Sequence, residues 1–221
     1  MSKLIIAIDG PSGSGKSTIA RRLAAKLKLK YLDTGALYRA AALKAQKVGL
    51  KVDDTRRLPG VLRKTKVRLE VRGHYSKVFL DGEDVSLNIR TPSAALAASK
   101  IAVNPKVREV LAGWQRQLGR GGGIVAEGRD IGTVIFPKAD VKFFITAGLE
   151  ERARRRFEEF KQQGGRVEYK DLLLQTRERD IRDRRRKISP LKRAKNAIVI
   201  NTTGLSIGKV LATMERAVAQ R

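Results

Sequence analysis

Eight residues, Gly10-Pro11-Ser12-Gly13-Ser14-Gly15-Lys16-Ser17, carry the strongest chemical signal in the chain. They fit the phosphate-loop spacing GxxxxGK[ST], and they lie between the apolar run Leu4–Ile8 and a helix-like stretch from Thr18 to Leu29. In that setting the glycines let the backbone turn tightly and aim several N–H groups inward, forming a concavity for phosphate oxygens. The positive end of the following helix dipole adds to the attraction. Lys16 supplies a mobile charge for terminal phosphates, and the Ser17 hydroxyl suits a Mg²⁺ ion. The ligand implied is a nucleoside triphosphate, bound by residues 10–18. The plain rival is a glycine-rich turn that only joins two elements.

Two further groups could act on the same ligand. Arg179, Arg182, Asp183 and Arg186 fall at i, i+3, i+4 and i+7, which puts them on one face if the segment is helical. Three guanidiniums around one carboxylate suit a polyphosphate and a sugar hydroxyl, because arginine meets phosphate oxygens with two parallel N–H groups. A solvated, salt-bridged helix explains the same charges, and the phosphate loop is what tips the balance towards a site. The third group is Glu127-Gly128-Arg129-Asp130, at the carboxyl end of an expected strand, where α/β sheets present their ligand-binding loops.

These residues need a frame, and the sequence alternates strand and helix signals to supply one. Lys30–Leu32 reads as a strand ending at Asp33-Thr34, and Gly35 to Lys47 as a helix. Apolar and polar residues then alternate through Val67, Leu69 and Val71, and again through Val78 and Leu80. Arg72-Gly73-His74-Tyr75 and Asp81-Gly82 form the turns of a small antiparallel meander. Helices start at Thr91-Pro92 and Asn104-Pro105, each with a capping side chain before a first-turn proline. Strands Ile124–Ala126, Val141–Ile145 and Ala197–Ile200 follow, with charged helices from about Leu149 to Gln163 and Tyr169 to Lys187, and a last helix from Ser206. Repeated strand–helix units imply an α/β fold, a parallel sheet flanked by helices, with ligands at the carboxyl ends of its strands. Trp114 is expected in the core, and His74, the one histidine, in an exposed turn.

Composition narrows the class. The 221 residues, 42% hydrophobic, suffice for one globular domain. With no cysteine there is neither a disulfide nor a cysteine-ligated zinc. Only five apolar residues separate Lys3 from Asp9, too few for a signal peptide or a membrane span, so a cytoplasmic protein is expected, with no membrane partner. The net charge of +26 attracts any polyanion, but aromatics make up 5% and none interleaves with the densest basic run. Nucleic acid is therefore expected to bind only by non-specific, salt-sensitive attraction.

Taken together, the segments resemble the bacterial cytidylate kinases (CMP/dCMP kinases). The matching runs are 8–17, Leu32-Asp33-Thr34-Gly35-Ala36-Leu37-Tyr38-Arg39, 82–86 with Ile89-Arg90, Ala98-Ser99, and Pro105-Lys106-Val107-Arg108. Glu127-Gly128-Arg129-Asp130-Ile131-Gly132-Thr133, Arg179-Asp180-Ile181-Arg182-Asp183 and 202–207 complete the series over nearly the whole chain. The resemblance implies a single P-loop kinase domain over 1–221, with a monophosphate-binding insert near 65–103 and a helical lid near 149–168. It implies transfer of the terminal phosphoryl group of ATP to CMP or dCMP, with Mg²⁺, by a monomer.

Roles follow from the resemblance residue by residue. Thr34, Tyr38 and Arg39 would line the acceptor pocket, with Arg39 on the acceptor phosphate. Ser99, Arg108 and Asp130 would read the cytosine edge. Lys16, Arg129, Arg179 and Arg186 would hold phosphate oxygens during transfer, Asp183 would accept from the sugar, and Arg152 and Arg156 would reach the donor from the lid. Glu127 stands where the family commonly has Asp, and Asn201 likewise. The rivals are another small-molecule P-loop kinase and a nucleic-acid-binding ATPase. A regulatory GTPase is disfavoured because the chain lacks an Asn-Lys-x-Asp motif; the nearest string is Pro137-Lys138-Ala139-Asp140.

Overall fold

A computed structural model of the chain describes residues 3–72, 75–162, 164–165 and 167–221; the turn expected through Gly73 and His74 lies outside them at those two residues. The strands are β1 (Ile5–Asp9), β2 (Lys30–Asp33), β3 (Val67–Arg72), β4 (Tyr75–Leu80), β5 (Glu83–Asp84), β6 (Ile124–Gly128), β7 (Val141–Thr146) and β8 (Ile198–Asn201). The helices are α1 (Lys16–Lys26), α2 (Thr34–Lys47), α3 (Leu58–Lys64), α4 (Pro92–Ile101), α5 (Pro105–Leu118), α6 (Leu149–Gln162), α7 (Tyr169–Arg185) and α8 (Ile207–Ala219). Five strands form one parallel sheet in the order β2-β6-β1-β7-β8, and β3, β4 and β5 form a separate antiparallel sheet. This is the expected α/β class. The strands β1 and β6 are almost wholly buried, as strands covered on both faces must be.

The chain divides into two compact units, Met1–Ile5 with Ala24–Ala126, and Ile6–Leu23 with Glu127–Arg221. In the first, Ala36 and Ala40 of α2 pack with Val78, Leu80, Val85 and Ile89, so the meander rests on the small-residue face of a helix. Asp81 and Gly82 both take positive φ (51° and 92°), the two-residue turn that matches strand twist and closes β4 onto β5. Both expected caps form. The Thr91 hydroxyl accepts from Ala94 N–H at 3.1 Å, and Asn104 Oδ1 accepts from Lys106 and Val107 N–H at 3.0 and 3.3 Å. Trp114 is buried, as its position on α5 predicts.

In the second unit, Ile6, Ile8, Phe143 and Ile145 form a dry sheet interior. Three features there depart from expectation. A single π-type turn, Ile131–Ile135, follows directly on Asp130. The helix α7 stops at Arg185, not Lys187, and Arg186 leaves the helix with ψ 134°. Its buried stripe is Leu172, Thr176, Asp180 and Asp183, while Arg182 is exposed. The face drawn through Arg182 is therefore corrected: the buried stripe, on a helix packed against α6, passes through Asp180 instead. The helix α3, in the first unit, was also not anticipated.

Candidate active site

The phosphate loop joins β1 to α1 and is held by contacts that its glycines make possible. Gly10 lies so close to the Ile145 carbonyl that a Cβ would overlap it. Gly13 lies against the Arg152 backbone, where a Cβ would come within 2.8 Å of the Arg152 carbonyl oxygen. Helix α1 begins at Lys16, two residues earlier than expected, so the N–H groups of Lys16, Ser17 and Thr18 belong to its first turn. Helix geometry leaves such groups without an intrahelical acceptor. Lys16 folds back, its Nζ donating to the Pro11 carbonyl at 2.8 Å, and it is only 5% exposed. Ser14 Oγ donates to the same carbonyl at 3.0 Å.

Charges gather around that lysine. Glu127, Arg129, Arg179 and Asp183 all act electrostatically on it. Burial, then Arg129 and Arg179, push its pKa down to about 7, against the pull of Glu127 and Asp183. Arg129 Nε donates to Asp183 Oδ2 at 2.9 Å, and Arg186 lies 3.8 Å from the other carboxylate oxygen. Burial works against ionisation of Asp183, yet Arg129, Arg186 and Arg179 outweigh it and hold its pKa below the usual carboxylate range. The three residues predicted from sequence as phosphate arginines thus converge on one acid. A cluster with this much stacked positive charge is suited to a ligand carrying several negative charges.

The two arginines expected in the lid behave differently. Arg152 is 4% exposed, and its guanidinium is committed to Asp180, Ala147 and Ser12. Arg156 makes a long contact to Thr176 Oγ1 at 3.4 Å. Burial lowers the Arg156 pKa against the pull of Glu159, and the Arg129 charge lowers it further.

In the first unit, Tyr38 and Arg108 come together, the guanidinium carbon lying 5.5 Å from the ring centroid. Arg108 is buried at the start of α5 and donates to the Ala102 carbonyl at 3.3 Å. Thr34 is buried in the first turn of α2, and Ser99 is half-buried on α4. Arg39 Nη2 donates to Asp33 Oδ2 at 2.9 Å, while Asp33 Oδ1 caps α2 by accepting from Ala36 N–H. Asp130, in the second unit, is buried where β6 runs into the π-type turn.

Sequence reasoning passed over Asp9 and Asp180. Asp9 is 2% exposed, and its two oxygens accept from Ile131 and Gly132 N–H, each at 2.8 Å. It thereby fixes the turn that follows Arg129-Asp130. Burial raises its pKa to about 6, with Asp130 adding to the rise and the two N–H bonds and Lys16 opposing it. A carboxylate at the end of a buried strand was the available signal. Thr202 Oγ1 donates to the Ser14 carbonyl at 3.1 Å and so steadies the loop as well.

The sequence model of the cytidylate kinase family matches residues 6–220. The chain belongs to the cytidylate kinase family. It is 46% identical to the cytidylate kinase of Syntrophotalea carbinolica over 99% of its own length and 93% of the relative's. With that of Caldanaerobacter subterraneus subsp. tengcongensis it shares 46% identity over 96% of this chain and 93% of the other. A solved structure of an uncharacterized protein from Eubacterium ventriosum has the same fold, with a TM-score of 0.56 at 14% identity and full coverage of both chains.

Proposed function

We propose that the protein transfers the terminal phosphoryl group of ATP to CMP or dCMP, releasing ADP and CDP or dCDP. The observation that carries this reading is the gathering of Glu127, Arg129, Arg179 and Asp183 around Lys16 at the phosphate loop, in a chain of the cytidylate kinase family. Residues 10–18 hold the donor phosphates. Lys16 follows the transferring group, and Arg129, Arg179 and Arg186 offset the charge that builds on its oxygens. Asp183 keeps Arg129 oriented and is available to a ribose hydroxyl. Arg156 is the lid arginine for the donor.

An acceptor phosphate oxygen attacks the terminal phosphorus as the bond to the ADP oxygen breaks. The acceptor is already ionised, so no general base is required. Thr34, Tyr38 and Arg39 hold the acceptor, and Ser99, Arg108 and Asp130 read its base. Cytosine presents an amino donor to Asp130 where uracil presents a carbonyl, so the wrong base loses a hydrogen bond and meets repulsion. In this reading a single kinase domain, 1–221, carries the monophosphate-binding insert at about 65–103 and the lid at about 149–168.

The donor set also fits Mg²⁺. Among the described residues, no group of three or more His, Asp or Glu side chains is arranged to hold a metal ion. One exposed hydroxyl, Ser17, fits an ion that arrives on the nucleotide, because Mg²⁺ keeps several waters and takes phosphate oxygens. Bound there, Mg²⁺ would neutralise phosphate charge. Among the described residues, no helix is long and apolar enough to cross a membrane. We place the protein in the cytoplasm as a monomer, with nucleic acid bound only non-specifically.

Two substitutions separate the assigned roles. Asp130→Ala is expected to raise KM for CMP and to narrow the ratio of kcat/KM between CMP and UMP. Arg186→Ala is expected to lower kcat for every acceptor without re-ranking them. An Asp130→Ala enzyme with unchanged base preference would overturn the base-reading role, and an Arg186→Ala enzyme that re-ranked the bases would overturn the other.

A further inference from the structure

We propose that Arg152 and Asp180 are a positioning pair that sets both the shape of the phosphate loop and the rotation of α7, without touching substrate. The proposal rests on the phosphoryl-transfer reading of the loop but not on which monophosphate is the acceptor.

Arg152 lies in the first turn of α6 and has five N–H groups, four of which have protein acceptors. Nε donates to the Ala147 carbonyl at 2.9 Å, Nη1 to the Ser12 carbonyl at 3.2 Å and to Asp180 Oδ1 at 3.0 Å, and Nη2 to Asp180 Oδ2 at 2.6 Å. An arginine so committed and 4% exposed has little left for a nucleotide. Arg156, one turn further along, is not tied in this way.

The Ser12 contact is the one with consequences for the ligand. In a trans peptide the C=O and the next N–H point in opposite directions. Holding the Ser12 carbonyl towards α6 therefore turns the Gly13 N–H away from α6, in the loop whose N–H groups receive phosphate. The close approach of Gly13 to the Arg152 backbone keeps loop and helix in register. On the other side, Asp180 follows Arg179 and lies one helical turn before Asp183. Its two-point grip on the guanidinium fixes the rotation of α7, and so the direction from which Asp183 meets Arg129.

A buried ion pair adds little to stability over a well-packed apolar pair of the same volume. That gives a discriminating test, the double variant Arg152→Met/Asp180→Leu. Its fold is expected to be retained with a melting temperature lower by no more than about 10 °C, since the ion pair itself is near neutral but the Ala147 and Ser12 carbonyls lose a donor. Its affinity for a fluorescent ATP analogue, read by direct titration, is expected to fall about tenfold or more, the loss of one charge-assisted hydrogen bond to the loop. A folded double variant with parental ATP affinity would overturn the proposal and leave the pair a structural one. If the double variant does not fold, Asp180→Asn decides by the same titration on its folded fraction: a loss of affinity supports the pair's role, and an unchanged value overturns it. Because the titration needs no acceptor, an error in the acceptor's identity would leave the result readable.

Discussion

At the scale of single residues, Lys16 is where burial and chemistry pull against each other. An ammonium enclosed beside Arg129 and Arg179 is held near a pKa of about 7, and a bound polyphosphate reverses that bias by favouring the charged form. The free protein therefore favours neutral Lys16 more than the complex does. ATP binding at mildly alkaline pH should take up protons there, visible as calorimetric enthalpies that depend on buffer ionisation, and uptake should fade as the pH falls. In Lys16→Met the uptake should vanish, and kcat should fall on the order of a thousandfold with the fold retained. Near-normal turnover in a folded variant would contradict the role given to the loop. Lys16 was legible from eight residues because its chemistry is local. The pairing of Arg152 with Asp180 was not, because 28 residues and a turn separate them and only the packing of α6 on α7 brings them together.

At the scale of elements, the parts with local rules were read correctly. Asn104 and Thr91 precede prolines and cap helices as their types require. Asn104→Ala should cost about 1 kcal/mol in urea unfolding, the usual value of a lost cap. The π-type turn at Ile131–Ile135 obeys no such rule. It exists because Asp9, 122 residues away, accepts the Ile131 and Gly132 N–H groups. Likewise the α7 stripe shifted to Asp180 because a buried partner, not charge spacing, decides which face turns inward. Asp9 also predicts a pH effect. Its folded pKa, about 6, lies above the ordinary 3.8, so its contribution to stability is present below pH 3.8 and is lost as pH rises through 6. Measured against Asp9→Asn, which cannot titrate, the parent should lose on the order of 2 kcal/mol of relative stability between pH 4 and 7. A gap that does not change with pH would contradict the buried, charge-crowded setting given by Asp130, Lys16 and Arg129.

At the scale of the whole molecule, the parallel sheet and the phosphate loop at the carboxyl end of β1 were legible because alternation of strand and helix is a repeating signal. The net charge of +26 exceeds what the site uses. Around the end of α7, Arg182, Arg184, Arg185, Lys187, Lys192 and Arg193 are all exposed, while Asp183 among them is buried against Arg129. Nucleic acid should bind such a surface weakly and without sequence preference, its affinity falling steeply between about 50 and 200 mM salt by counterion release. Selective binding at physiological salt would instead favour a nucleic-acid-directed ATPase. The most direct measurement is a coupled assay of ADP release with ATP and each ribo- and deoxyribonucleoside monophosphate in turn. CMP and dCMP should be phosphorylated well, UMP poorly, and AMP and GMP hardly at all. A preference for any other acceptor, or ATP turnover that no monophosphate stimulates, would contradict the account.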